Sequence, residues 1–208
     1  GAAVYESNPE GNDTATIEKV EINIEDGMFD GSIYSEDKTG FVSGGIFTEQ
    51  PNNSYVYPGL AAVEDGSSNF VIEKLENVYV DGADGNDTNT GADAEHAVKT
   101  LEHALNLVAD DGVIYICGTV TVDSDLTVTE AVIQRAEDFT GRLISVTGEN
   151  AVLTLTNTTI DGQKGTEKAG YLVYVGDGAT VNLNGGAKLI NNNETAVYVD
   201  DGGAFTME

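Results

Sequence analysis

The residues best placed by type and spacing to do chemistry lie in one short loop. Asp81-Gly82-Ala83-Asp84-Gly85-Asn86-Asp87 sets three carboxylates and an amide close together, interleaved with glycine. Oxygen ligands so spaced can wrap a hard cation, which makes Asp81, Asp84, Asn86 and Asp87 a candidate calcium site. The loop departs from the EF-hand pattern, because no glutamate follows at the closing position. The ordinary reading is an Asx/Gly turn, in which the side chains bond their own backbone. Calcium is the only cofactor these residues suggest.

Tyr174 and Tyr198 form a second candidate. Each stands between two valines, in Val173-Tyr174-Val175 and Val197-Tyr198-Val199, and Ser145 takes the same place in Ile144-Ser145-Val146. In a strand, alternation turns the valines to one face and the middle residue to the other. Stacked as parallel strands, the two tyrosines stand about 4.8 Å apart. Outward aromatics can receive sugar rings, so Tyr174, Tyr198 and Ser145 are candidate glycan contacts. The same pair can instead stabilise the sheet or pack against residues 1–75. Tyr55 and Tyr57, beside Pro58-Gly59, are lesser candidates, and Asn191-Asn192-Asn193 reads as a stacked turn.

The elements that must position these residues repeat. Leu143–Val146, Leu172–Val175 and Ala196–Val199 each open a unit, with 29 residues from Val146 to Val175 and 24 from Val175 to Val199. Each is followed by a Gly/Asp/Asn turn and a second short strand: Val152–Leu155, Val181–Leu183 and Phe205–Met207. A period in the twenties with several short strands per unit describes a solenoid, whose rungs share one core. Ile144, Val146, Val173, Val175, Val197, Val199, Leu153, Leu155, Val181 and Leu183 are expected to point inward. Ahead of the rungs, Ala94, Ala97, Val98, Leu101, Ala104, Leu105 and Val108 follow helical spacing. They predict an amphipathic helix over about 92–109, started by Thr90 or Asp93, ended by Asp110-Asp111-Gly112, and capping the open end of the stack. Further upstream, Asp26-Gly27-Met28-Phe29 echoes Gly44-Gly45-Ile46-Phe47 at a spacing of 18, as short coils would.

The chain has 208 residues, with 9 Lys+Arg against 36 Asp+Glu and a formal net charge of -27. That balance argues against nucleic acid and against anionic membrane surfaces. No stretch is apolar enough to insert in a membrane. Cys117, in the run Val113–Cys117, reads as a small buried hydrophobe, since no cation lies near it in sequence. Gly1 is not a natural start, and Phe205–Glu208 stops within a strand-like alternation, so the native protein is expected to continue.

At this point the order of elements resembles a known family. Val78-Tyr79-Val80-Asp81-Gly82, then Gly85–Gly91, then Ala97-Val98-Lys99-Thr100-Leu101, then Asp111–Ile116 looks like the opening of pectate-lyase-like right-handed β-helix proteins. The rungs further resemble those of gut-bacterial surface proteins with β-helix repeats. The resemblance covers roughly the last 130 residues. It implies an all-β fold: a right-handed parallel β-helix with an N-terminal capping helix, preceded by a small β-rich module. Residues 1–75 are then that module, or the end of a preceding array, and residues 76–208 hold the helix and the first rungs. It implies a secreted protein of the bacterial cell surface, a non-catalytic adhesin-like stalk that meets glycan or a host or cell-surface protein.

The alternative it implies is a polysaccharide lyase or glycoside hydrolase. A uronate lyase needs a base and cations, yet Arg135, Arg142, Lys164, Lys168 and Lys188 do not recur at one rung position. A hydrolase needs two carboxylates roughly 5 to 10 Å apart. Asp161, Asp177, Asp200 and Asp201 all lie in glycine-containing turns, where Asp is commonplace. His96 and His103, seven apart on the expected helix, are about 10.5 Å apart along its axis at ~1.5 Å per residue, too far to share a metal. No catalytic residue is assigned.

Overall fold

A computed structural model describes residues 1–7, 20–165 and 170–208, so Lys168 lies outside the described residues. It divides into two compact units, 1–75 and 76–208.

The first unit begins as short parallel coils. Strand β1 (Val4–Glu6) is followed by β2 (Met28–Phe29), β3 (Ile33–Ser35) and β4 (Ile46–Phe47). Strands β1 and β3 pair in parallel, and so do β2 and β4, with Met28 opposite Ile46 and Phe29 opposite Phe47. The echo at 18 residues is therefore one coil. Ile24, Val42 and Val56 mark a third side by parallel bridges. Ile24, Ile33, Phe41, Val42 and Phe47 form the core, and Phe29 stacks on Phe47 at 5.0 Å. Coils approach so closely at Gly44 that a Cβ there would stand 2.0 Å from the Glu25 carbonyl oxygen. The regularity then breaks: β5 (Ala61–Glu64) and β6 (Phe70–Glu73) pair antiparallel, and β6 runs antiparallel to β4.

The second unit is a right-handed parallel β-helix. Strand β7 (Leu75–Asp81) leads to helix α1 (Leu101–Leu107) and then β8 (Val108–Gly118). One coil continues through β9 (Val120–Val122) and β10 (Leu126–Thr129). The next comprises β11 (Val132–Arg135), β12 (Ile144–Val146) and β13 (Val152–Thr156). A third has β14 (Thr159–Asp161), β15 (Val173–Val175) and β16 (Thr180–Asn184), and a fourth β17 (Lys188–Ile190), β18 (Val197–Val199) and β19 (Ala204–Met207). These stack as three parallel sheets: β7-β8-β11-β14-β17, β9-β12-β15-β18 and β10-β13-β16-β19.

Register fixes direction. Val120, Ile144, Val173 and Val197 form one row in register, and Val122, Val146, Val175 and Val199 another; both are buried through β15, but on β18 Val197 is half-buried and Val199 is 40 % exposed. Ile144, Val146, Leu153, Leu155, Val173, Val175 and Val181 are fully buried. Each such aliphatic side chain contributes roughly 1.5–3 kcal/mol. On the third sheet, Thr127, Thr154, Asn182 and Thr206 form an outward row, with Thr129, Thr156 and Asn184 beside it. The turn between the second and third sheets needs a left-handed residue in each of three coils: Asn150 (φ 64), Gly178 (φ 72) and Gly202 (φ 83). Asn and Gly tolerate that conformation, which is why they recur there.

The predicted helix is corrected at both ends. Residues 92–100 are not helical; of the predicted stripe Ala97, Val98, Leu101 and Ala104 are buried, but Leu105 and Val108 are half-buried and Ala94 is exposed, while Leu107, outside the stripe, is buried. Val98 instead bridges Val80 in parallel: its N–H donates to Tyr79 O at 2.9 Å and its carbonyl accepts from the Asp81 N–H at 2.8 Å. The start is Thr100, whose Oγ1 accepts from the His103 N–H. Capping there satisfies an orphan donor of the first turn. Asp93 caps a separate turn, accepting from the His96 N–H at 2.8 Å, so His96 lies off the helix and only His103 lies on it. At the far end Val108 is already extended, and Asp110-Asp111-Gly112 lies within β8.

Candidate functional site

The loop after β7 is organised by hydrogen bonds that point different ways. Asp81 Oδ1 accepts from the N–H groups of Ala83 and Asp84 at 2.9 and 3.1 Å. Asn86 Oδ1 accepts from the Thr88 N–H and hydroxyl, both at 3.0 Å. Asp87 turns to the helix entrance: Oδ1 accepts from the Lys99 and Thr100 N–H groups at 2.8 and 2.9 Å, and Oδ2 from the Thr100 hydroxyl at 2.9 Å. Burial works to raise the Asp87 pKa, but these bonds outweigh it and hold the carboxyl below the usual range. Asp84 is exposed. The four proposed ligands thus serve separate local tasks, and among the described residues no group of three or more His, Cys, Asp or Glu side chains converges on a point.

The outward row of the second sheet reads Thr121, Ser145, Tyr174, Tyr198, so the three residues picked from sequence are brought onto one line. Tyr174 and Tyr198 stack with centroids 5.8 Å apart and planes 5° apart. Tyr171 joins them, 5.0 Å from Tyr198. The Arg142 guanidinium lies 4.5 Å over the Tyr174 ring, and the Tyr174 hydroxyl donates to Asp200 Oδ2 at 2.6 Å. That bond raises the Tyr174 pKa and lowers that of Asp200. Arg142 belongs to the coil before Tyr174 and Tyr198 to the coil after it, so both ring faces of Tyr174 are occupied within the stack. Ser145 is 7 % exposed, whereas Tyr198 is 41 % exposed. Surface for a ligand therefore lies at Tyr198 and at the outer edge of the ladder.

Sequence reasoning missed Tyr171, and it weighed Arg142 and Asp200 only for enzyme chemistry and not as partners of Tyr174; all three lie just outside the alternating strands. It also missed two further aromatic pairs. Tyr79 stacks on Tyr115 at 5.2 Å, and in the first unit Tyr5 stacks on Tyr34 at 5.2 Å, 67 % and 42 % exposed. The Val-Tyr-Val and Ile-Tyr-Ile alternations around Tyr79 and Tyr115 carried the signal for the first pair.

Two of the carboxylates considered for acid–base work are held by separate bonds. Asp161 accepts from the Gln163 N–H and the Asn191 amide, and Asp200 from the Tyr174 hydroxyl and the Asp201 N–H. Cys117 is half-buried in β8, and burial first, then Asp81, pushes its thiol up to about 11. Arg135 is the largest fully buried side chain. It takes the register place beside inward Ile116. Its guanidinium donates to the carbonyls of Gly141, Gly162 and Gly170 and to Asn192 Oδ1, with Phe139 5.9 Å away. It is a structural tie between coils.

No protein-family model, no curated protein and no solved structure matches the chain.

Proposed function

We propose that this chain is a non-catalytic module of a bacterial cell-surface protein, a rigid adhesin-like segment that meets carbohydrate with its outward rows. One observation carries the reading. Outward side chains recur in register over four coils, while Asp87, Asp161 and Asp200 are held in separate hydrogen-bond networks. A repeated surface suits repeated, weak contacts that add along a polymer. General acid–base chemistry would instead need two groups converging on one reacting atom. A glycan array probed with the whole chain tests the proposal. Retention of one or more glycans supports it, and uniform failure to bind overturns the carbohydrate assignment.

A further inference from the structure

The second and third sheets of the second unit carry no charged residue in their strands, although the chain carries 36 acidic and 9 basic side chains. The third, β10, β13, β16 and β19, differs from the second in turning no aromatic ring outward on its central row. Their outward row Thr127, Thr154, Asn182, Thr206 repeats one hydroxyl or amide per coil, about 4.8 Å apart. Thr206 donates to Asn182 Oδ1 at 2.6 Å, which sets the amide with its N–H₂ group free to face outward. The turn entering this sheet contributes an exposed carboxylate from every coil: Asp123, Glu149, Asp177 and Asp201.

We infer that this face binds an extended neutral polysaccharide, with hydroxyls of the polymer bonding the Thr/Asn rows coil by coil. The inference rests on the glycan-contact reading above and narrows it to a sheet and a ligand class. Two physical arguments select the occupant. The bordering carboxylates accept strong hydrogen bonds from hydroxyl donors. The same carboxylates, within a net charge of -27, repel uronate, sulfate or sialate polymers. A neutral chain lying along the solenoid axis presents hydroxyls at nearly the spacing of the coils, so individually weak bonds add.

Affinity electrophoresis of the whole chain through gels containing a soluble neutral polysaccharide (glucan, mannan or xyloglucan) or polygalacturonate tests this. Asn182→Asp keeps the acceptor for Thr206 while placing a charge on the face, and the double variant Thr127→Val/Thr154→Val removes two hydroxyls while keeping β-branched shape. Melting curves check that both variants fold. Retardation by at least one neutral polymer and none by polygalacturonate, with apparent affinity reduced tenfold or more in both variants, is the expected result. Equal retardation of wild type and both folded variants, or preference for polygalacturonate, overturns the inference alone. Failure of the wild type on every glycan, here and on the array, overturns the broader reading with it.

Discussion

Replacing Arg135 by methionine tests how the coils are tied together. The guanidinium is 1 % exposed and serves four acceptors: the carbonyls of Gly141, Gly162 and Gly170 and the side-chain oxygen of Asn192. No carboxylate is among them, so the charge is balanced by backbone dipoles at a corner where three coils meet. A hydrogen bond to a charged donor is worth about 1.5–3 kcal/mol. Against that stands the cost of removing the guanidinium from water, several kcal/mol after relaxation. Methionine restores the desolvation term but strands the acceptors, at about 1–3 kcal/mol for each one that water cannot reach. The net expectation is a loss of about 3–5 kcal/mol, or roughly 10–15 °C in Tm for a unit of this size. Arg135→Lys keeps the charge but not the planar fork, and should lose about 1–3 kcal/mol. Urea unfolding followed by far-UV circular dichroism measures both, with the m-value reporting whether the coils still melt together. A methionine variant within 1 kcal/mol of wild type would refute the claim that this arginine ties the coils.

Three further outcomes follow from the same structure. Glu130 sits at φ 58 in a turn whose equivalents are Asn157 and Gly186, so Glu130→Asn should stabilise by about 0.5–1 kcal/mol, read as a rise in Tm. Asp87 has a folded pKa below its unfolded value near 3.9, so its contribution is present above that pH and lost as pH falls through the lower folded value. Asp87→Asn should therefore cost about 1 kcal/mol at pH 7 and flatten the acid limb of the stability curve, which denaturation at several pH values would reveal. Cys117, with its thiol at about 11, is about one part in a thousand thiolate at pH 8, so a disulfide reagent should label it slowly in the folded chain and rapidly in urea.

Much of this architecture is written in short-range pattern. The Val-x-Val triplets and Gly/Asn turns recur at coil spacing, and because a strand alternates strictly, inward and outward rows follow from the register of a few residues. Both the 18-residue echo in the first unit and the line through Ser145, Tyr174 and Tyr198 could be read this way. The helix limits could not. Ala94, Ala97 and Val98 keep helical spacing, yet the backbone of Val98 pairs with β7, a tertiary partner that local periodicity does not register. Arg135 was illegible for a related reason: an arginine ending a strand looks like surface charge until the corner carbonyls of later coils close around it. The occupancy of both Tyr174 faces likewise depends on Arg142 and Tyr198, 32 and 24 residues away.

The central claim is contact with carbohydrate without turnover. The most direct measurement incubates the whole chain, in stoichiometric amounts, with the polysaccharide it retains best, and follows the polymer's length distribution by size-exclusion chromatography with light scattering. An unchanged distribution alongside measurable retention is the predicted result. Shortened chains, new reducing ends or unsaturated uronate ends would contradict it.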